Sequence, residues 1–264
     1  TDLNGCQVSE SVLLTDPPAL VLTLVQVMPT ACPGQPGGSA TVESNGGTGA
    51  IGIMWSNGQS GPAVAGLTDG TYLVTATDAN GCTDTGTVVI EAIDSEMPVI
   101  QANPVTLPLG PSGSIMLTLA NLGASASDNC ALAAVQWTPE AFDCTDLGVQ
   151  QVSLTASDVS GNSSTVTIPV TIVDNISPTL ECPPNVSRCF DDNVVEYPAP
   201  VATDNCLSLG GEFALMVGLP SGLPFPVGST TITYAFTDVQ GNTGFCSFQV
   251  TVLEPLSVLQ DSII

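Results

Sequence analysis

The sequence predicts an all-β chain built from small β-sandwich modules in series. Three observations carry this. Residues 71–77, 151–157, 165–173, 230–237 and 245–252 alternate apolar and polar side chains and are rich in Val, Thr and Ile, the pattern of half-buried strands. Paired runs are separated by Asp-x-x-Gly-Asn or Asp-x-Asn-Gly, in which Gly supplies a positive φ and the Asp or Asn side chain caps the turn. The 26 Gly and 21 Pro interrupt every window long enough for a helix, leaving short strands joined by tight turns.

Composition removes whole classes of function. The chain has 264 residues, one Lys or Arg (Arg188), no His, and 25 Asp plus Glu, a formal net charge of −24. Nucleic acid needs a cluster of cations to displace phosphate counterions, and anionic membranes need the same. Without His or Lys there is no Ser-His-Asp triad, no Schiff-base lysine and no His-bound metal. Hydrophobic residues make up 43% and charged residues 10%, which separates the chain from a disordered acidic tail. No run of 18 apolar residues marks a membrane span. With Thr1 first and no leader pattern before it, the sequence reads as a mature product or a window on a longer chain.

Internal repeats set the organisation. Thr1-Asp2-Leu3-Asn4-Gly5-Cys6 recurs as Thr77-Asp78-Ala79-Asn80-Gly81-Cys82, 76 residues later. Asp158-Val159-Ser160-Gly161-Asn162 recurs as Asp238-Val239-Gln240-Gly241-Asn242 at an offset of 80, and Asp94 and Pro98 recur as Asp174 and Pro178 at the same offset. Asp128-Asn129-Cys130 recurs as Asp204-Asn205-Cys206 at 76. The expected domains are a partial module over 1–17 with a strand over 8–14, complete modules over 18–93, 94–175 and 176–253, and the first strand of another module over 254–264.

Two stretches resemble known families. Gly46-Gly47-Thr48-Gly49, Met54-Trp55-Ser56-Asn57-Gly58, Gly66-Leu67-Thr68-Asp69-Gly70-Thr71-Tyr72 and Thr77 to Cys82 resemble the SprB repeat of giant cell-surface adhesins in gliding Bacteroidetes. Cys182-Pro183-Pro184, Pro200, Thr203-Asp204-Asn205-Cys206, Phe225-Pro226-Val227-Gly228, Thr237-Asp238, Gly241-Asn242 and Cys246-Ser247-Phe248 resemble the hyalin repeat (HYR), an immunoglobulin-like adhesion module. Residues 94–175 look like a divergent relative of the second. The resemblance implies tandem immunoglobulin-like β-sandwiches arranged as an extended rod, on a secreted or surface-attached extracellular protein, with no catalytic residues.

Nine widely spaced cysteines, with no CxxC pair, favour disulfides and an oxidising compartment. At offset 80, Cys182 and Cys246 fall on Ala102 and Val166. Both are missing together from the earlier repeat, so Cys182–Cys246 is expected as a pair. That leaves Cys189–Cys206 and Cys130–Cys144, with Cys32–Cys82 closing the first complete module. Cys6 is the counterpart of Cys82, so its partner is expected to lie before residue 1.

Acidic turns are the remaining candidates for a site. Asp94 and Asp174 lie at module junctions, and Asp191, Asp192 and Asp204 lie close together in sequence. Such groups suit Ca²⁺, which takes six to eight oxygens, although no dense D-x-D-x-D loop occurs. Solvated turn carboxylates are the commoner role and the leading reading, with Ca²⁺ the alternative, and no cofactor is expected. Trp55 and Trp137 fit either sugar stacking or a core anchor, the latter being the commoner role. Asn162, Asn175 and Asn185 begin formal glycosylation sequons.

The functional expectation is a non-enzymatic segment of a long extracellular repetitive adhesin or surface fibre, serving adhesion and stalk spacing. A self-assembling filament or sheath subunit joined by strand addition at its termini, and a carbohydrate-binding accessory segment, are the alternatives. Expected partners are neighbouring modules, copies of the same protein, and surface glycans. Nucleic acid and membrane insertion are not expected.

Overall fold

Period-2 patterning produces strands over 71–77, 151–157, 165–173, 230–237 and 245–252. The computed structural model describes residues 4–254 apart from Val8 and Leu14. The chain is all-β. Its helical elements among the described residues are three single 3₁₀ turns, at Cys144–Asp146, Phe190–Asp192 and Leu207–Leu209. No helix among the described residues is long and apolar enough to cross a membrane. Cα packing sorts the chain into two units. The first holds residues 1–99, 127–134 and 156–164; the second holds 100–126, 135–155 and 165–264.

In the first unit the strands are β1 (Val21–Met28), β2 (Gly38–Asn45), β3 (Gly52–Trp55), β4 (Ala63–Leu67), β5 (Gly70–Thr77) and β6 (Thr83–Ile90). They form two antiparallel sheets, ordered β1-β2-β4 and β3-β5-β6. Ala40, Val42, Val64 and Leu67 from one sheet meet Ile53, Trp55, Val74, Ala76, Val88 and Ile90 from the other in one buried core. That is a β-sandwich, each strand turning alternate side chains inward. Trp55 is 3% exposed, and its indole N–H donates to the Gly61 carbonyl at 3.0 Å. It is a core anchor and offers no face to a sugar. Tight turns follow the sequence reading: Gly81, at φ +85°, closes the β5–β6 hairpin.

Further along run β7 (Val99–Gln101), β8 (Val105–Pro108), β9 (Ser114–Met116), β10 (Ser125–Ser127), β11 (Leu132–Thr138), β12 (Ala141–Asp143), β13 (Gly148–Asp158) and β14 (Ser163–Val173). After them come β15 (Thr179–Glu181), β16 (Val186–Cys189), β17 (Val194–Val195), β18 (Val201–Thr203), β19 (Gly211–Val217), β20 (Leu223–Pro224), β21 (Gly228–Asp238) and β22 (Thr243–Leu253). The second unit has two cores. One gathers Leu107, Leu109, Phe142, Val152, Leu154, Ile168, Val170 and Ile172. The other gathers Val195, Tyr197, Phe225, Ile232, Phe248, Val250 and Val252. Each repeat lays a short strand parallel to its last long one: β8 on β14 (Val105 opposite Val170) and β16 on β22 (Val186 opposite Val250). Tyr197 donates its hydroxyl to the Leu219 carbonyl at 2.6 Å. Burial, reinforced by the Tyr234 hydroxyl, pushes its phenol well above the usual range.

The strand expected over 8–14 does not form: residues 9–13 carry no strand, and Val8 and Leu14 lie outside the described residues. A lone extended segment has no ladder to satisfy its backbone, so alternation alone cannot make it a strand. The strand expected over 254–264 lies outside the described residues beyond Glu254.

The disulfides depart from the expected map. Cys182–Cys246 is bonded. Cys32 is bonded to Cys130 and Cys144 to Cys206, so Cys32–Cys82, Cys130–Cys144 and Cys189–Cys206 do not form. Cys82 and Cys189 are free and exposed. Cysteines sharing a repeat are expected to pair within it. Cys130 and Cys206 occupy the same place in their repeats, and both bond backward to the repeat before. Their Asp-Asn-Cys loops face the incoming chain, where Asn129 and Asn205 hydrogen-bond to Asp94 and Asp174.

Candidate cation-binding site

One turn motif appears three times among the described residues. Asp78, Asp158 and Asp238 are 6%, 3% and 7% exposed; Asp158 and Asp238 end β13 and β21, and Asp78 directly follows β5. Asp158 accepts the amides of Ser160 at 2.9 Å and Asn162 at 2.8 Å; Asp238 accepts those of Gln240 at 2.8 Å and Asn242 at 2.9 Å; Asp78 accepts those of Asn80 and Cys82, both at 2.9 Å. Burial would raise the Asp158 carboxyl, but the Asn162 side chain and amide, with the Ser160 and Gly161 amides, hold it below the usual range. The Thr48 amide is the main cause of the lowered Asp78 carboxyl, opposed by burial and helped by the Cys82, Asn80 and Gly81 amides.

The side chains of Asn162 and Asn242 reach further. Each donates to the carboxylate of its own turn, at 2.8 Å to Asp158 and to Asp238. Each also donates to a main-chain carbonyl at the entry to its repeat, Asn162 to Asp94 at 3.2 Å and Asn242 to Asp174 at 3.0 Å. The Asp-Asn-Cys loop approaches the same entry: Asn129 donates to the Asp94 carboxylate at 3.3 Å, and Asn205 to that of Asp174 at 3.0 Å. Asp128 and Asp204 hold these loops by accepting the Cys130 and Cys206 amides, each at 2.9 Å. Three stretches separated by tens of residues therefore converge on one aspartate in each repeat.

In the second unit this convergence gathers carboxylates. Asp174, Asp204 and Asp238 each offer an oxygen within 4.8 Å of the others. The Asp174 Oδ2, Asp204 Oδ1 and Asn205 Oδ1 atoms are buried and have no hydrogen-bond partner. Gly113, at φ +71°, lets the β8–β9 turn pass so close that a Cβ there would lie 2.5 Å from the Asn205 carbonyl. In the first unit Asp94 and Asp128 group with Cys130, but that sulfur is in a disulfide. Asp94 Oδ2 and Asp128 Oδ1 are likewise buried and unpartnered.

Of the residues expected at a cation site, Asp94, Asp174 and Asp204 therefore lie in such clusters. Asp191 and Asp192 do not: they are exposed in the 3₁₀ turn Phe190–Asp192, and Asp192 lies 3.9 Å from Arg188 in an open ion pair. Sequence reasoning passed over Asp128 and Asp238. Their recurrence at offsets 76 and 80, in step with Asp94 and Asp174, was the available signal. Trp137 lines an open groove of about 520 Å³ with Met116, Leu117, Val135, Gln136 and Glu140. Glu140 is its one carboxylate, where glycoside hydrolysis needs a pair. The Asn162 side-chain amide is occupied within its turn, which leaves the first sequon without a free acceptor.

Comparison with known proteins places the second unit's cluster within a recognised module. Residues 173–252 match the HYR domain, and Asp174, Asp204 and Asp238 all lie in that stretch. Hyalin of Strongylocentrotus purpuratus is 31% identical over 186 residues, covering 64% of this chain and 14% of that protein. Hyalin of Lytechinus variegatus is 30% identical over 258 residues, covering 91% of this chain and 46% of that protein. The serine-rich adhesin for platelets of Staphylococcus aureus strain MSSA476 is 29% identical over 169 residues, covering 57% of this chain and 7% of the adhesin. The chain spans less than half the length of each of these relatives. Among solved structures, Drosophila N-cadherin EC1-4 shares 13% identity over 90% of this chain and 76% of that one, with a TM-score of 0.33.

Proposed function

We propose that this chain is a non-enzymatic, load-bearing segment of an extracellular adhesion-type repeat protein, organised as modules over 18–93, 94–175 and 176–253. The observation that carries the reading is the arrangement of the bridges. The 32–130 loop is followed by two loops, 144–206 and 182–246, that overlap in sequence. Between residues 32 and 246 only the stretch 131–143 lies outside a bridged loop. A chain cross-linked in this way resists being drawn out. Disulfides of this kind belong to oxidising, extracellular settings, and the hyalins and the platelet adhesin support an adhesive context. The first module, with its SprB-like motifs, adds length and spacing. Many weak contacts along such a repeat add up through effective concentration.

Pulling single chains from their ends tests this. In the oxidised chain, the residues inside the three bridged loops stay withheld from the extension, and adding reductant releases them. Equal extension with and without reductant would remove the load-bearing role.

A further inference from the structure

We propose that Asp174, Asp204 and Asp238 form a Ca²⁺ site at the entry to the HYR domain. Three negative groups offer oxygens within 4.8 Å of one another, and Asp174 is only 3% exposed. Its Oδ1 is held by the Asn205 side chain at 3.0 Å and the Ile176 amide at 3.1 Å, while its Oδ2 is buried with no partner. A buried carboxylate oxygen without a partner is costly unless a positive charge faces it. This chain has no Lys and no His, and its single Arg, Arg188, pairs with Asp192 at the surface. No side chain of this chain is available to neutralise the cluster, so the charge must come from solution.

The donors select the ion. All are hard carboxylate or amide oxygens, which suit Ca²⁺ or Mg²⁺ over softer metals. Oxygens sharing one Ca²⁺ lie at most about 4.8 Å apart, twice the usual metal–oxygen distance of about 2.4 Å. Mg²⁺ would require a tighter octahedral cage at about 2.1 Å. Asn205 Oδ1, buried and unpartnered beside Asp204 in the chain, adds an amide oxygen of the right kind. The three carboxylates come from the β14–β15 link, the loop after β18 and the end of β21, so a bound ion ties together segments that the sequence keeps apart. The Asp94–Asp128 pair repeats only two of the three groups and stays outside this assignment.

The experiment uses the full oxidised chain, stripped with EDTA. Calorimetric titration with Ca²⁺ is expected to show binding with Kd on the order of 10⁻⁴–10⁻³ M, the range of extracellular modules, and Ca²⁺ is expected to raise Tm. Asp204→Asn is expected to weaken that binding by at least about tenfold. In EDTA the same variant is expected to melt no lower than wild type, because it removes repulsion among the three carboxylates; in Ca²⁺ it melts lower. A residue with a purely structural role would lower Tm in both media, and that outcome overturns the proposal. So does a wild-type chain whose melt and titration are indifferent to Ca²⁺. Asp191→Asn, which changes an exposed carboxylate outside the cluster, is the control and retains the response.

Discussion

Cys32 and Cys130 are bonded across 98 residues of sequence, with Cα atoms 5.5 Å apart. The isolated parallel bridge between Thr30 and Ala92 brings the start of the 31–37 loop against the chain leading to Asp94. The Asn129 side chain donates to the Asp94 carboxylate. Cys32 and Cys130 are thus carried to the same place from opposite directions. Cys130→Ser is expected to lower stability by about 2–4 kcal/mol, measured by denaturant unfolding of the oxidised chain. A peptide map without reduction should recover a 32–130 link and no 32–82 link.

Thiol chemistry separates the remaining cysteines. Cys82, in the turn before β6, and Cys189, at the end of β16, are free and exposed. Iodoacetamide applied to the native, unreduced chain is expected to modify both, while Cys144, Cys206, Cys182 and Cys246 take up label only after reduction. Mass spectrometry of the labelled peptides reads the result.

Acid should loosen the first sandwich through Asp78. Its carboxyl is held below the usual range in the folded state. The stabilisation is therefore complete above the unfolded value of about 4 and is lost as pH falls through the depressed folded value. Asp78→Asn is expected to lower Tm at neutral pH and to flatten the fall in Tm below pH of about 4, followed by circular dichroism melts.

Gly244 is required by a close approach. A Cβ there would lie 1.9 Å from the Pro178 carbonyl oxygen. One repeat earlier the corresponding residue is Ser164, whose hydroxyl donates to the carbonyl of Pro98, the counterpart of Pro178. Gly244→Ala is expected to cost about 1–3 kcal/mol or more by overpacking. At Gly52 the nearest atom to a new Cβ, the Thr77 carbonyl oxygen, is 3.9 Å away, so Gly52→Ala is expected to be tolerated. Thermal unfolding of the two variants side by side makes the comparison.

Trp55 sits in the core with its N–H satisfied. Trp55→Ala is expected to cost about 3–5 kcal/mol, visible as loss of the first unit's unfolding transition. Loss of sugar binding with stability unchanged would contradict its place in the core.

The strands and hairpin turns were legible because their causes are local. Alternation in 230–237 and 245–252 becomes β21 and β22, and the Asp238 turn with Gly241 at φ +89° closes them. The candidate site was only half legible. Asp94, Asp174 and Asp204 stood out by position, whereas Asp238 looked like a turn cap, which it also is. Asp191 and Asp192 looked promising because they are adjacent in sequence, but an exposed 3₁₀ turn keeps them at the surface.

The residues alone establish an all-β chain with repeats of about 80 residues, no cation to spare and no His or Lys to act as a base, since composition and period-2 patterning act within a few residues. Which cysteines meet, and which carboxylates share a buried corner, is decided only when the chain folds. Both depend on where distant loops are delivered. The Asp-Asn-Cys loops face backward onto the incoming chain, so Cys130 and Cys206 find partners in the repeat before their own.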